Sequence, residues 1–185
     1  YRQLETLEEP KDHLPSTGMP ETEEIRACFD CAVSEGYDEA MVFVLSSSLG
    51  GTYNKICLIA KEYEKKIKIH VIDTKITCFG EGFLAIKASE YAAKGMSSDE
   101  ILKEIHWMMK RQEFIGVDGK LDYLIYNGRL KGGKAFMGQL LNICPVIHFS
   151  NEGEIVPLES VRTQKKALAR TCEILKERIG GRDPK

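Results

Sequence analysis

Two short apolar runs, joined by a segment with helical periodicity, constrain the fold of this chain more than any other feature. The runs are MVFVL at residues 41–45 and IHVID at residues 69–73. Unbroken apolar runs of this kind are typical of strands that are buried on both faces of a parallel sheet. Successive parallel strands need a crossover between them, and residues 51–65 have a helical pattern. Because further helices are predicted before and after the runs, residues 1–112 are expected to form a three-layer α/β domain with a parallel sheet.

The pattern changes after about residue 113. FIGVD and PVIHF are predicted strands, and NEGEI predicts a hairpin turn that contains a glycine. KAFMGQLLNI is a predicted helix, as is TQKKALARTCEILKERI, in which Leu168, Cys172, Leu175 and Ile179 lie on one face. Residues 113–185 are therefore expected to form a second, smaller mixed α/β unit.

The composition excludes several classes of function. The 185 residues are 43% hydrophobic and 29% charged, with a formal net charge of −2. These values are ordinary for a soluble globular protein, and they provide no basic footprint for nucleic acid. No window approaches the roughly 18 apolar residues of a membrane span. We therefore expect neither a nucleic-acid partner nor an integral membrane segment.

The six cysteines are scattered along the chain, and Cys28 and Cys31 form a CxxC pair. A zinc site would need a second ligand pair, which the sequence lacks, and the spacing equally fits one face of the helix predicted at 21–36. We predict that both thiols are neither redox-active nor metal-bound, and we expect no cofactor. Scattered free thiols favour a reducing, cytoplasmic setting.

A loop rich in serine and glycine, LSSSLGGTY at residues 45–53, follows the first predicted strand. Ligands of parallel α/β sheets gather at the carboxyl ends of the strands. Serine hydroxyls, close backbone approach at glycine and the free N–H groups of the next helix together form a cradle for an anion such as a carboxylate or phosphate. A simple helix cap with a flexible loop explains the same residues equally well, so both interpretations stay open at this point.

Three common motifs are absent. The loop does not contain the GxxxxGK[ST] of a P-loop, the chain has no GxGxxG fingerprint, and no G-x-S-x-G surrounds the serines. His70 lies inside an apparent strand, where a core or edge histidine is the more common interpretation. The sequence therefore favours binding over catalysis.

Several motifs occur together in an order and spacing that resemble the DegV family, whose members bind fatty acids and include the acyl-carrying subunits of bacterial fatty acid kinase. LPSTGMP resembles the family's PxTSQP loop, and LSSSLGGTY resembles SSGLSGTY. VIDTKITCFGEG is similar to VIDSxxxSxGxG, and LIYNGRL is similar to LxxGGRI. The segment LLNICPVIHFSNEGEIVPLESVRTQKKAL follows the family pattern closely. The similarity covers almost the whole chain.

The resemblance implies a long-chain fatty acid as ligand, with its carboxylate held by a loop threonine and a serine and its acyl chain in an apolar tunnel. It also implies that a separate ATP-binding fatty acid kinase subunit phosphorylates the bound acid, so that this chain is a carrier and not an enzyme. Arg129 and Arg162 each lie in a matched motif, where a guanidinium can grip a carboxylate or acyl phosphate. The ligand-binding residues expected on this basis are Thr17, Ser46, Ser47, Gly51, Thr52, Arg129 and Arg162.

The chain also departs from the family pattern. Gly18 and Met19 stand where the family usually has Ser and Gln, and Ser48 and Gly50 exchange the usual Gly and Ser. We expect the first unit to lack the family's opening strand and the second to be incomplete, which argues against phosphotransfer by this chain alone. Two alternatives remain: a serine-dependent esterase or acyl-transfer enzyme that uses Ser46 or Ser47, and a sensor of a non-lipid anion. No His or Lys in the matched motifs is expected beside those serines, which favours the binding protein.

Overall fold

The computed structural model describes residues 17–117, 121–132 and 144–180 of the chain. The first unit contains α1 (Thr22–Ser34), β1 (Glu39–Val44), α2 (Thr52–Lys61), β2 (Lys68–Asp73), α3 (Cys78–Ala93) and α4 (Ser98–Met109). The second contains β3 (Ile115–Val117), α5 (Asp122–Tyr126), β4 (Cys144–Phe149), β5 (Ile155–Val161) and α6 (Gln164–Ile179). The helix predicted for KAFMGQLLNI and the structure expected for residues 1–16 lie outside the described residues.

The two predicted parallel strands pair as expected, with Glu39 opposite Lys68 and Val44 opposite Asp73. Side chains alternate between the faces of a strand. Val42 and Val44 therefore pack against α1 and α2, whereas Met41 and Phe43 pack against α3 and α4. Both faces are buried, which explains the continuous apolar run, and the prediction of a three-layer α/β domain is confirmed.

The first turn of α4 is closed by a capping box. The Ser97 hydroxyl accepts from the backbone N–H of Glu100, and the Glu100 carboxylate accepts from the backbone N–H of Ser97. This reciprocal pair satisfies two of the helix's free N–H donors. The helix runs from the amino ends of the strands, where Ser98 lies beside Glu39, towards their carboxyl ends, where Gln112 Nε2 donates to the Thr74 carbonyl at 3.2 Å.

The second unit is a three-stranded antiparallel sheet in the order β3–β4–β5. Val146 packs against Ala167 and Ile174 of α6 on one face. On the other face, Ile147 belongs to a cluster that includes Leu49, which comes from the serine loop of the first unit. The loop singled out by its sequence is thus part of the core that joins the two units.

The packing of α6 corrects the sequence interpretation. The stripe Leu168, Cys172, Leu175 and Ile179 is exposed or half-exposed, and the helix contacts the sheet through Ala167 and Ile174 instead. These two residues are seven positions apart, so they lie two turns apart on the same side of the helix. The small side chain of Ala167 lets the helix approach the sheet closely, which a stripe of larger side chains would prevent. Cys28 and Cys31 of α1 are both exposed.

None of the helices in the described parts of the chain combines the length and the apolar character needed to cross a bilayer. Within the same described ranges, no three His, Cys, Asp or Glu side chains are grouped to hold a metal ion.

Candidate functional site

The turns that follow β1 and β2 lie side by side, because parallel strands end at the same edge of a sheet. The Ser46 N–H donates to the Ile76 carbonyl at 2.8 Å, and the Thr74 N–H donates to the Val44 carbonyl at 3.0 Å. The buried hydroxyl of Thr74 adds a second bond to the Val44 carbonyl, at 2.8 Å. The serine loop is therefore fixed on the VIDTK turn.

Ser46 is completely buried and holds the two units together. Its hydroxyl donates to the Gly153 carbonyl at 2.7 Å and accepts from the Ser48 N–H at 3.3 Å. The Ser48 hydroxyl donates to the neighbouring Glu152 carbonyl at 2.8 Å. A serine has a single hydroxyl proton, so Ser46 has none left for a ligand.

Gly153, in the turn between β4 and β5, lies against the serine loop. Its φ of +80° is a backbone conformation that glycine adopts without steric cost. A Cβ at this position would lie 2.1 Å from Ser46 Oγ and 3.0 Å from Lys75 Cα. The predicted hairpin glycine is therefore required twice, by its own turn and by this close approach.

Ser47 lies beside a charged pair formed by Asp73 and Lys75. The Ser47 N–H donates to Asp73 Oδ1 at 3.0 Å, and Lys75 Nζ donates to Ser47 Oγ at 3.3 Å. Lys75 Nζ also lies 2.7 Å from Asp73 Oδ2. This contact corrects the expectation that no lysine stands beside the serines. An ammonium group in an ion pair has no lone pair with which to accept a serine proton, so the contact does not by itself activate Ser47 as a nucleophile.

The pKa of the Asp73 carboxyl reflects this environment. Burial alone would raise it, but hydrogen bonds from the side chains of Lys75 and Ser47 and from their backbone N–H groups outweigh burial and lower the pKa below its usual range. Asp73 therefore carries its negative charge at neutral pH, and the Lys75 ammonium is its direct counter-ion.

The start of α2 completes the site. Gly51 occupies the cap position without a side-chain cap, Thr52 opens the helix, and the first turn contains no acidic residue. The free N–H groups and the positive end of the helix dipole are thus uncompensated there by side chains of the helix. A Cβ on Gly51 would lie 2.9 Å from Met19 Sδ, and Lys55 Nζ donates to the Pro20 carbonyl at 2.6 Å. These contacts bring the segment that begins at the exposed Thr17 next to the serine loop.

Neither of the two expected arginines contacts the loop serines in the part of the chain that the structure describes. Arg129 is half-buried, and its guanidinium donates to the carbonyl of Asn127 in its own turn. Arg162 is exposed in the short connection between β5 and α6. The structure thus brings Ser46, Ser47, Gly51 and Thr52 together with the Thr17 segment, and it leaves Arg129 and Arg162 outside the direct contacts of Ser47 within the described residues.

A cleft of about 910 Å³ opens between the two units on the other side of the β4–β5 turn. Lys75 lines this cleft and also contacts Ser47. Cationic side chains outnumber acidic ones along its walls, and burial, followed by the nearby Arg178, lowers the pKa of His148 there. The ammonium of Lys75 therefore stands between the serine loop and a largely basic cleft.

Sequence reasoning missed Asp73 and Lys75 as site residues, and it missed the contact of Gly153 with Ser46. The signal for the first two was present, because they follow a predicted buried strand at the edge where ligands gather. The contact made by Gly153 had no local signal, since it joins residues 107 positions apart.

Comparisons with known proteins agree with this fold. The chain is 37% identical to protein DegV of Bacillus subtilis over 173 residues, which cover 92% of this chain and 60% of that protein. It is 34% identical to a fatty acid-binding protein of Thermotoga maritima over 166 residues, covering 89% of this chain and 57% of that protein. The chain thus spans about six tenths of the length of these relatives.

Solved structures are similar over nearly the same range. The fatty acid binding DegV family protein of Streptococcus agalactiae matches with a TM-score of 0.87 and 34% identity, covering 99% of this chain and 63% of that one. DegV of Bacillus subtilis, described as a fatty acid binding protein, matches with a TM-score of 0.77 and 34% identity over 88% of this chain and 57% of that one. A family model described as "Uncharacterised protein, DegV family" matches residues 2–185. The chain belongs to the DegV family.

Proposed function

We propose that this chain binds a long-chain fatty acid and holds the carboxylate of the acid at the serine loop. The observation that carries the proposal is the cluster formed by Ser47, the Lys75 ammonium and the uncapped start of α2, which presents hydroxyl, ammonium and backbone donors at one edge of the sheet. The relatives described as fatty acid-binding proteins support a lipid as the ligand.

The energetics of such a ligand require both an apolar contact and a polar cradle. Burial of each methylene contributes about 0.8 kcal/mol, so an acyl chain with some fourteen methylenes gains roughly 11 kcal/mol before the entropy costs of binding. A bare carboxylate would cancel much of this gain, because burying it without hydrogen-bond donors is very costly. Ser47, Thr17 and the N–H groups of Gly51 and Thr52 are the donors we assign to it.

In the whole protein, we infer that the bound acid is presented to a separate ATP-binding kinase subunit. Arg162 supports this step, because it is exposed between β5 and α6, where a long side chain can reach a partner or a transferring phosphate. Arg129 is assigned to the polar end of the ligand on the basis of its motif.

The binding proposal is tested by native mass spectrometry of protein purified without added lipid, followed by extraction and identification of the ligand. We expect one fatty acid per chain. Ser47→Ala should lower the occupancy, whereas Ser34→Ala, at an exposed position in α1, should not. A chain that neither copurifies with a fatty acid nor takes one up from solution would contradict the proposal.

The kinase step is tested with the full-length protein, its kinase subunit and ATP. Arg162→Ala should leave fatty-acid affinity unchanged and slow acyl-phosphate formation on the order of a hundredfold, since a charge aimed at the transferring group acts mainly in the transition state. Equal rates would remove Arg162 from this role. Loss of lipid binding would assign it to the carboxylate instead.

A second candidate function, a serine-dependent esterase, is favoured by one observation, the contact between Lys75 Nζ and Ser47 Oγ. Serine–lysine pairs can act as nucleophile and base when the amine is neutral. The ion pair with Asp73 opposes this state. Labelling with a fluorophosphonate probe distinguishes the two functions, and we expect no covalent adduct on Ser47.

A further inference from the structure

The ion pair between Asp73 and Lys75 is covered on its negative side and open on its positive side. The Asp73 side chain is 12% exposed, whereas the Lys75 side chain is 43% exposed. An anion that approaches this edge of the sheet therefore meets the ammonium group and not the carboxylate. Asp73 also keeps two backbone donors, the N–H groups of Ser47 and Lys75, if the ammonium shifts towards a ligand.

The ammonium group has the capacity for one more acceptor. It carries three N–H donors, and its contacts within the described residues are Asp73 Oδ2 at 2.7 Å and Ser47 Oγ at 3.3 Å. The Ser47 hydroxyl accepts from Lys75, and its own proton is directed at the Asp73 carboxylate, whose pKa this hydrogen bond helps to lower. The third N–H of the ammonium can reach one oxygen of a bound carboxylate, and the Ser47 hydroxyl can reach the same oxygen when it turns from Asp73.

The backbone holds Lys75 in a conformation that few non-glycine residues adopt. Its φ is +57°, in the left-handed region, and such residues cluster at ligand sites because the surrounding structure must compensate for the strain. Here the Lys75 N–H donates to Asp73 Oδ1 at 3.3 Å, and Gly153 packs against its Cα. The turn aims the side chain at Ser47.

We propose that Lys75 is the cationic partner of the ligand's carboxylate and that it selects an acid over an uncharged lipid of the same chain length, an inference that rests on the proposed function. Glu152 carries a charge that could compete with the ligand for Lys75. Hydrogen bonding to Ser150 is the main cause of its lowered pKa, and the Lys75 charge adds to it. Glu152 is exposed, so solvent screens it more than a ligand that sits on Ser47.

The test compares the affinities of the 185-residue chain for hexadecanoic acid and hexadecan-1-ol, measured by equilibrium dialysis. Lys75→Met should weaken binding of the acid by about tenfold or more and leave binding of the alcohol unchanged, because a charge-assisted hydrogen bond is lost only with the acid. Lys75→Arg should keep most of the affinity for the acid. Lys131→Met removes a lysine that pairs with Glu154 at the same hairpin, and it should change neither affinity.

Each result has a distinct meaning. Equal affinities of wild type and Lys75→Met for the acid would overturn the inference, as would an equal loss for both lipids, which indicates a structural role. Failure of the wild type to bind either lipid would overturn the proposed function as well. A measurement on the wild type alone avoids any loss of stability in the variant: hexadecanoic acid, but not hexadecan-1-ol, should protect Lys75 from reductive methylation as read by peptide mass spectrometry, and unprotected Lys75 would contradict the proposal.

Discussion

At the scale of single residues, the neighbours Ser46 and Ser47 have different roles. The buried hydroxyl of Ser46 gives its proton to the Gly153 carbonyl, whereas Ser47 lies partly exposed beside Lys75. The difference arises from the direction of each side chain in the loop, since one points under the β4–β5 turn and the other towards the end of β2. We therefore assign Ser46 to the junction of the two units and Ser47 to the ligand.

Ser46→Ala should destabilise the fold by about 1–3 kcal/mol, because it leaves the buried Gly153 carbonyl without its donor. Urea denaturation measures the free energy of unfolding. The matched control is Ser34→Ala, which removes an exposed hydroxyl that donates to the Cys31 carbonyl at 2.8 Å, and it should cost less than about 0.5 kcal/mol. Similar costs for both variants would show that the bond to Gly153 does not hold the junction.

Gly153→Ala should cost more than Gly36→Ala, although both glycines have nearly the same φ, +80° and +83°. The shared cost comes from placing a Cβ at a positive φ, about 1–2 kcal/mol. Only Gly153 adds a clash, because its Cβ would meet Ser46 Oγ, whereas nothing lies within 4 Å at Gly36. Thermal unfolding of both variants measures the difference, and equal shifts in Tm would contradict the close approach.

The serine loop could be located from the sequence, since it follows a predicted buried strand, but the separate roles of its residues could not. Those roles depend on Gly153, which is distant in sequence, and on the conformation of Lys75, a residue whose type does not favour a positive φ. Local patterns contain no information on either. The expected ligand roles of all the site residues stay predictions.

At the scale of elements, α6 shows how a helix with two apolar stripes packs through only one. Ile174 is 4% exposed against the sheet, whereas Leu168 is 53% exposed on another face of the helix. Ile174→Ala should therefore cost about 2–4 kcal/mol, and Leu168→Ala less than about 0.5 kcal/mol. The free energies of unfolding of the two variants show which face of α6 packs on the sheet. A larger loss for Leu168→Ala than for Ile174→Ala would support the buried stripe predicted from the sequence.

The amino ends of β1 and β2 carry a carboxylate whose titration affects stability. Hydrogen bonds from Ser98 and His70 hold the pKa of the Glu39 carboxyl at about 2, against an ordinary value of 4.5. Since the folded-state pKa is the lower one, the stabilisation is complete above about pH 4.5 and is lost as the pH falls towards about 2. Glu39→Gln should thus be less stable than the wild type near neutral pH.

The difference in unfolding free energy between the wild type and Glu39→Gln should decrease as the pH falls from about 4.5 to about 2. Denaturation curves at a series of pH values measure it. Glu64→Gln, the same substitution at an exposed position after α2, serves as the matched control. A difference for Glu39→Gln that stays constant down to about pH 2 would contradict the assignment.

Most elements of the described chain were predictable, because their signals are local. Continuous apolar runs marked β1 and β2, and the glycine of NEGEI marked the β4–β5 turn. The buried face of α6 was not predictable, because the more apolar stripe is the exposed one, and the close approach allowed by Ala167 depends on the sheet beneath it.

At the scale of the whole molecule, the candidate site lies where the two units meet. Leu49 enters the core of the second unit, and Ser46 and Ser48 bind the β4–β5 turn, so the loop that presents Ser47 is stabilised from both sides. The division into residues 1–112 and 113–185 stays a prediction. Contacts across it mean that a ligand at the serine loop should stabilise both units together.

The most direct test of fatty-acid binding at the serine loop is a crystal structure of this chain with a bound long-chain fatty acid. We expect the carboxylate to lie within hydrogen-bond distance of Ser47 Oγ and Lys75 Nζ, next to the start of α2 and the Thr17 segment, while Ser46 keeps its bond to Gly153. A carboxylate bound elsewhere, with Ser47 and Lys75 unchanged and in contact only with each other and Asp73, would contradict it.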